Sequence, residues 1–278
     1  MASLVGVFAA SHGPMIAREW DTLSAPTRGA VTEGFERVGQ RLMATRPDVL
    51  VIVSPDHWCN FFLNNFPAFC VGIGEEHDGP PEPFLKHRFN HPVLAGHPGL
   101  ARHIMDTALE RDFDPSMSHR LTLDHGFCLP LWRMEIDPIP PIIPIVVNEV
   151  DDPMPTMRRC LAWGSMLRQA IESYPQQLRV AVLATGGLSH FIGEPGMGQI
   201  DEAFDRTCIS LFKNGDPAKL AQERTAIRDA LQGIRFTGVT GENTCFNADR
   251  DAQLPGFVIE IKDLKWNLFD SWPADGCP

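Results

Sequence analysis

Three short stretches of this chain end in a histidine after an apolar run. "LVGVFAASHG" carries His12, "VLVIVSPDHW" carries His57, and "LRVAVLATGGLSH" carries His190. Each run has the composition of a buried strand, so each imidazole is expected just past a strand's carboxyl end. In α/β sheets, loops at that end converge on ligands from distant parts of a chain. A fourth histidine, His125 in "TLDHGFCLPL", lies between Asp124 and Gly126. Imidazole titrates near neutral pH and ligates metals through a neutral ring nitrogen, so such a set can hold a metal or move a proton. His57 is flanked by Asp56, a carboxylate able to orient the ring, and by Trp58, an aromatic wall. The plain alternatives are a structural histidine at each strand end and an Asx turn at Asp124–His125. His77, His87, His91, His97, His103 and His119 share no pattern and are expected at the surface or as supporting residues.

The elements that must position these side chains alternate along the chain. Apolar runs predict strands over 4–10, 48–54, 67–73, 141–148 and 179–185. Segments of helical period lie between and after them: "VTEGFERVGQRLMA", "GLARHIMDTALERD", "TMRRCLAWGSMLRQAIES" and "GQIDEAFDRTCISLF". This alternation predicts an α/β fold: a single domain over 1–278, with a central, mostly buried β-sheet flanked by helices and an active site at the strand ends. Residues 74–97 are rich in Pro, Gly and His and are expected to form a lid or binding loop. At the end of the last strand, Gly186 and Gly187 are expected to supply a sharp turn, held by Thr185 and Ser189 through local hydrogen bonds.

Composition excludes several classes. A net charge of −11 with no cluster of Lys and Arg argues against a nucleic-acid partner. The 7 cysteines are scattered and form no C-x-x-C pair, which fits a reducing, cytoplasmic setting rather than a disulfide framework. The first apolar run has no basic segment before it and is too short to span a membrane. No later apolar run approaches transmembrane length, so no membrane association is expected.

"SHGP" at 11–14, "SPDHW" at 54–58, "LDHGFCLPL" at 123–131, and "ATGGLSH" followed by "QIDEAFDR" at 199–206 occur in this order. Together they resemble the type III extradiol ring-cleavage dioxygenases. The resemblance implies an Fe(II) cofactor held on one face by His12, His57 and a glutamate, with open positions for a catecholic substrate and O2. It also implies His190 as the acid/base residue and His125 as a second pocket histidine touching substrate or assisting proton transfer. The third ligand is expected at Glu242, after Gly238 and Gly241. Glu223, on a helical surface pattern, and Glu260, in a strand-like setting, are the alternatives. Residues 235–278 depart from the family pattern. Their Trp266, Phe269 and Trp272 either cover core surface or meet another subunit.

Two other functions are compatible with these residues: a zinc enzyme using the same pocket, and a non-catalytic family member acting as a binding module. A benzoate-type diol, a catechol with a longer side chain and an aminophenol all remain open as substrates. Arg18, Arg28, Arg88 and Arg120 are candidates to pair with a substrate carboxylate. A homo-oligomer or a small second subunit is the expected assembly.

Overall fold

The computed structural model describes residues 1–150, 152–189, 199–214, 256–262 and 265–272, the last two segments as backbone only. In chain order the elements are β1 (Ser3–Ser11), α1 (Met15–Arg18), α2 (Ala25–Ala44), β2 (Val49–Ser54), β3 (Phe69–Gly72), β4 (Glu76–Asp78), α3 (Pro83–Lys86), β5 (Val93–Ala95) and α4 (Pro98–Glu110). They continue with β6 (Ser116–Ser118), α5 (His125–Arg133), β7 (Ile142–Val147), α6 (Met157–Ser173), β8 (Arg179–Gly186), α7 (Glu202–Asn214), β9 (Gly256–Lys262) and β10 (Lys265–Trp272). Among the described residues, no helix is long and apolar enough to cross a membrane.

One mixed sheet of eight strands runs in the order β10-β9-β1-β8-β2-β7-β3-β6. β1, β8, β2 and β7 are parallel neighbours, and β3 runs against β7. β9 and β10 form an antiparallel pair added beside β1. The central strands are apolar at nearly every position because both faces are covered. Leu50, Ile52, Ala181 and Leu183 face one core with Phe35, Val38 and Leu42 of α2 and Phe127, Leu129 and Leu131 of α5. Val49, Val51, Val180 and Val182 face the other, with Leu100 and Ile104 of α4 and Trp163, Met166 and Ile171 of α6. Successive strand residues point to opposite faces, so an unbroken apolar run is what two helical layers require.

The five expected strands are present within a few residues. α2 begins earlier than its apolar period suggests, because Ser24 caps it by accepting the Thr27 N–H and proline stands in its first turn. α5 was not anticipated. Seven of its nine residues are buried, so it has no polar face to mark a helical period, and Pro130 sits inside it. Residues 74–97 are more built than a loop. β4 and β5 pair as a small antiparallel sheet, and Leu85, Phe89 and Leu94 enter the first core.

His77 is a correction to the expected surface or supporting role: it is fully buried, and its Nδ1 accepts the Leu121 N–H at 3.2 Å. His97 likewise has a structural duty, accepting the Leu100 N–H at 3.1 Å to cap α4. Cys59, Cys70, Cys128, Cys160 and Cys208 are free thiols.

Candidate active site

His12 follows β1 directly, His57 lies three residues beyond β2, and β8 runs between those two strands. The carboxyl ends of parallel neighbours therefore deliver both histidines to one place. Their ring centroids are 4.9 Å apart, and His125, at the start of α5, stands 4.0 Å from His57 and 5.7 Å from His12.

Each imidazole is held through Nδ1. His12 Nδ1 lies 3.2 Å from Thr185 Oγ1 on the intervening strand, and the His12 N–H donates to the Gly186 carbonyl. Asp124 Oδ2 accepts the His57 N–H at 2.6 Å and lies 3.1 Å from His57 Nδ1. Glu82 Oε1 accepts the His125 N–H at 3.0 Å and lies 2.7 Å from His125 Nδ1. With Nδ1 turned to an oxygen in each ring, Nε2 is the nitrogen suited to a metal or substrate.

The carboxylates around His57 and the imidazoles around Asp124 act on each other across the pair. Burial opposes a charge on His57, but the hydrogen bond and charge of Asp124, with Glu82 and Asp56 behind it, raise its pKa above the usual imidazole value. Burial likewise pushes the Asp124 carboxyl up, and the hydrogen bond and charge of His57, with the charge of His125, more than reverse that.

Ligand atoms of His57, Asp124 and His125 lie within 4.8 Å of one another, as do those of Cys59, Glu82 and Asp124. Asp124 already accepts from Gly126 N–H through Oδ1 and from His57 through Oδ2, so it supports imidazoles better than it serves a metal. Burial and the charges of Asp124, Glu82 and Asp56 push the Cys59 thiol up to about 12, which keeps it protonated at neutral pH. The imidazoles are thus the donors that fit a divalent metal here.

The family model for the catalytic LigB subunit of aromatic ring-opening dioxygenase matches residues 6–232. The chain belongs to that family. It is 37% identical over 147 residues to a gallate dioxygenase of Pseudomonas putida, covering 51% of this chain and 43% of that protein. It is 29% identical over 225 residues to a 2,3-dihydroxyphenylpropionate/2,3-dihydroxicinnamic acid 1,2-dioxygenase of Photorhabdus laumondii, covering 81% and 67%. The enzyme of that name from Xanthobacter autotrophicus is 30% identical over 268 residues, covering 94% and 76%. The chain therefore spans less than half of the gallate dioxygenase and about two thirds to three quarters of the other two. The LigB match ends at residue 232.

Within this LigB chain, several sequence expectations need correction. Asp56 does not orient His57. It is fully buried and accepts the N–H groups of Cys59, Asn60 and Phe61, fixing the turn after β2. The orienting carboxylate is Asp124, 67 residues away in sequence. Asp124 also caps α5, so the expected Asx-type bond and a site role coexist in one side chain. Gly186 is the last residue of β8, and a Cβ there would meet nothing within 4 Å, so no tight turn demands it.

Thr185 reaches His12, and Ser189 is tied to α7 rather than to its own turn. Ser189 N–H donates to Asp205 Oδ1 at 2.8 Å, and Asp201 N–H donates to Ser189 Oγ at 2.6 Å. The "QIDEAFDR" motif thus anchors the chain one residue before His190. His190, Glu242 and Glu223 lie outside the described residues.

The backbone of Glu260 is opposite Phe8 in the β9–β1 pairing. That is four residues, about 13 Å, back from His12 along β1, too far for a shared metal. All four arginines weighed for substrate already have partners in the protein: Arg18 has Glu19, Arg28 the carbonyls of Asp21 and Leu23, Arg88 has Asp21, and Arg120 has Asp78 and Glu76. Glu82 was missed, since nothing in "GPPEPF" marks a carboxylate aimed at a residue 43 positions away.

Proposed function

We propose that this chain is an Fe(II)-dependent extradiol dioxygenase that opens the ring of a catecholic substrate with O2. The observation that carries this is the convergence of His12, His57 and His125 at the carboxyl ends of β1 and β2, each ring held through Nδ1. His12, His57 and Glu242 hold the iron, and the bound Fe(II) supplies a centre where both diol oxygens and dioxygen are brought together. Asp124 and Thr185 hold the two ligand rings through Nδ1, which leaves Nε2 of each for the metal. His190 takes the proton from a substrate hydroxyl, and His125 contacts the diol beside it. The relatives named for gallate and for 2,3-dihydroxyphenylpropionate support an aromatic diol that also carries a carboxylate.

The test is anaerobic purification, loading with Fe(II), and simultaneous recording of oxygen uptake and yellow product across a panel of carboxylated catechols. Oxygen uptake coupled to a ring-opened product is expected with Fe(II) and not with Zn(II). Iron binding without oxygen uptake on any diol would count against the assignment.

A further inference from the structure

Glu82 precedes the short helix α3, yet its side chain does not cap that helix. The carboxylate turns instead to α5, where Oε1 takes both the backbone N–H and Nδ1 of His125. An oxygen that already accepts one N–H receives the second group as a donor, so Nδ1 carries the hydrogen and the neutral ring's lone pair falls on Nε2. The other oxygen, Oε2, is buried with no hydrogen-bond partner among the described residues. α3 has an anchor of its own in Leu85, which is fully buried. Among the described residues, the hydrogen bonds of this carboxylate go to His125, whose ring lies 4.0 Å from that of His57.

We propose that Glu82 is a positioning residue for the ring-opening reaction: it locks His125 in the Nδ1–H tautomer and so presents Nε2 as an acceptor to a substrate hydroxyl. This rests on the dioxygenase assignment and adds to it a residue from the 74–97 segment, which thereby becomes part of the catalytic apparatus. It acts through His125 and not through the metal, so removing it spares iron binding.

The test compares Glu82→Met, nearly isosteric but without an acceptor, with Glu82→Gln, whose amide oxygen still accepts both N–H groups. Bound Fe(II), kcat and KM for the best diol, and the ¹⁵N shifts of His125 in the Zn(II)-loaded full chain are measured, with the His125 signals assigned by their loss in His125→Gln. Glu82→Met is expected to keep its iron and its KM, to lose kcat by about 10- to 100-fold, and to lose the Nδ1–H signature. Glu82→Gln is expected to restore most of kcat and the signature. A Glu82→Met protein with wild-type kcat or an unchanged tautomer overturns the proposal, as does one that loses its iron. If the wild type turns over no diol, the dioxygenase assignment fails instead, and the nitrogen shifts decide the role of Glu82.

Discussion

Asp124 and His57 are joined by two hydrogen-bond contacts to a single oxygen, the backbone N–H at 2.6 Å and Nδ1 at 3.1 Å. One carboxylate atom thereby sets both the path of the chain beyond β2 and the rotation of the ring. Glu82 repeats the arrangement on His125. Asp124 performs this while also capping α5, so the helix start and the ring orientation depend on the same side chain. Asp124→Ala is expected to lower Fe(II) affinity about 10- to 100-fold through misorientation of His57. It should also reduce stability by about 1 kcal/mol through the lost cap alone, and by more because the His57 N–H loses its acceptor. Iron titration and denaturant melts of the same preparation check both. Wild-type iron affinity in that variant would remove Asp124 from the site.

Much of this arrangement was readable in the sequence, for a definite reason. The sheet strands are apolar throughout because helices cover both faces, and a histidine after such a run is conspicuous. The parts that were not readable depend on contacts across long sequence separations. Asp56 stands beside His57 in the chain, yet its carboxylate folds back on Cys59, Asn60 and Phe61, whereas the partner of His57 comes from α5. α5 itself was invisible because a helix buried all round has no apolar stripe. Gly186 looked like a turn residue, but it ends a strand with open space where its side chain would be.

Gly126 marks how closely α5 approaches β2. A Cβ at this position would collide with Ser54 Oγ and would lie 2.9 Å from Asp124 Oδ1 and 3.2 Å from His57 Cε1. Gly126→Ala is therefore expected to cost about 1–3 kcal/mol despite alanine's better helix propensity. It should also push Asp124 and His57 apart and lower iron occupancy. Ser54→Ala provides the contrast. Ser54 Oγ is buried without a hydrogen-bond partner among the described residues, so its removal should leave stability unchanged or slightly improved. Melts and metal analysis of the two variants distinguish steric from polar effects.

The ligand assignment separates metal binding from turnover. His12→Ala and His57→Ala are expected to abolish iron binding, and Glu242→Gln to weaken it strongly. Glu260→Gln should leave it intact, because the Glu260 backbone pairs with Phe8 far from the strand end. His190→Ala should keep its iron and lose about 10²–10⁴-fold in turnover, as expected of a general acid/base. Iron stoichiometry and oxygen uptake on the same samples decide. Full activity in His190→Ala would overturn its role, and full iron occupancy in Glu242→Gln would overturn that ligand.

His77 is expected to give the fold an acid sensitivity. Its Nε2 is buried with no hydrogen-bond partner among the described residues, and Gly72 leaves room for the ring, since a Cβ there would come within 2.7 Å of His77 Cε1. Burial, with a smaller contribution from the Arg120 charge, lowers its pKa to about 4 against the opposing pull of Asp78. Arg120 is itself held by Asp78 and Glu76, so the cation stays close to the ring. In the unfolded chain an imidazole takes its proton near ~6.5. Between that value and about 4 the unfolded state therefore binds more protons than the folded one, and stability falls as pH falls. Below the folded pKa both states are protonated and this contribution stops changing. His77→Asn keeps an acceptor for the Leu121 N–H but cannot titrate. Melting temperatures measured from pH 7 to 4 should fall more steeply for the wild type than for the variant, with most of the divergence inside that window. Parallel curves would mean that His77 is protonated in the folded state as readily as in the unfolded one.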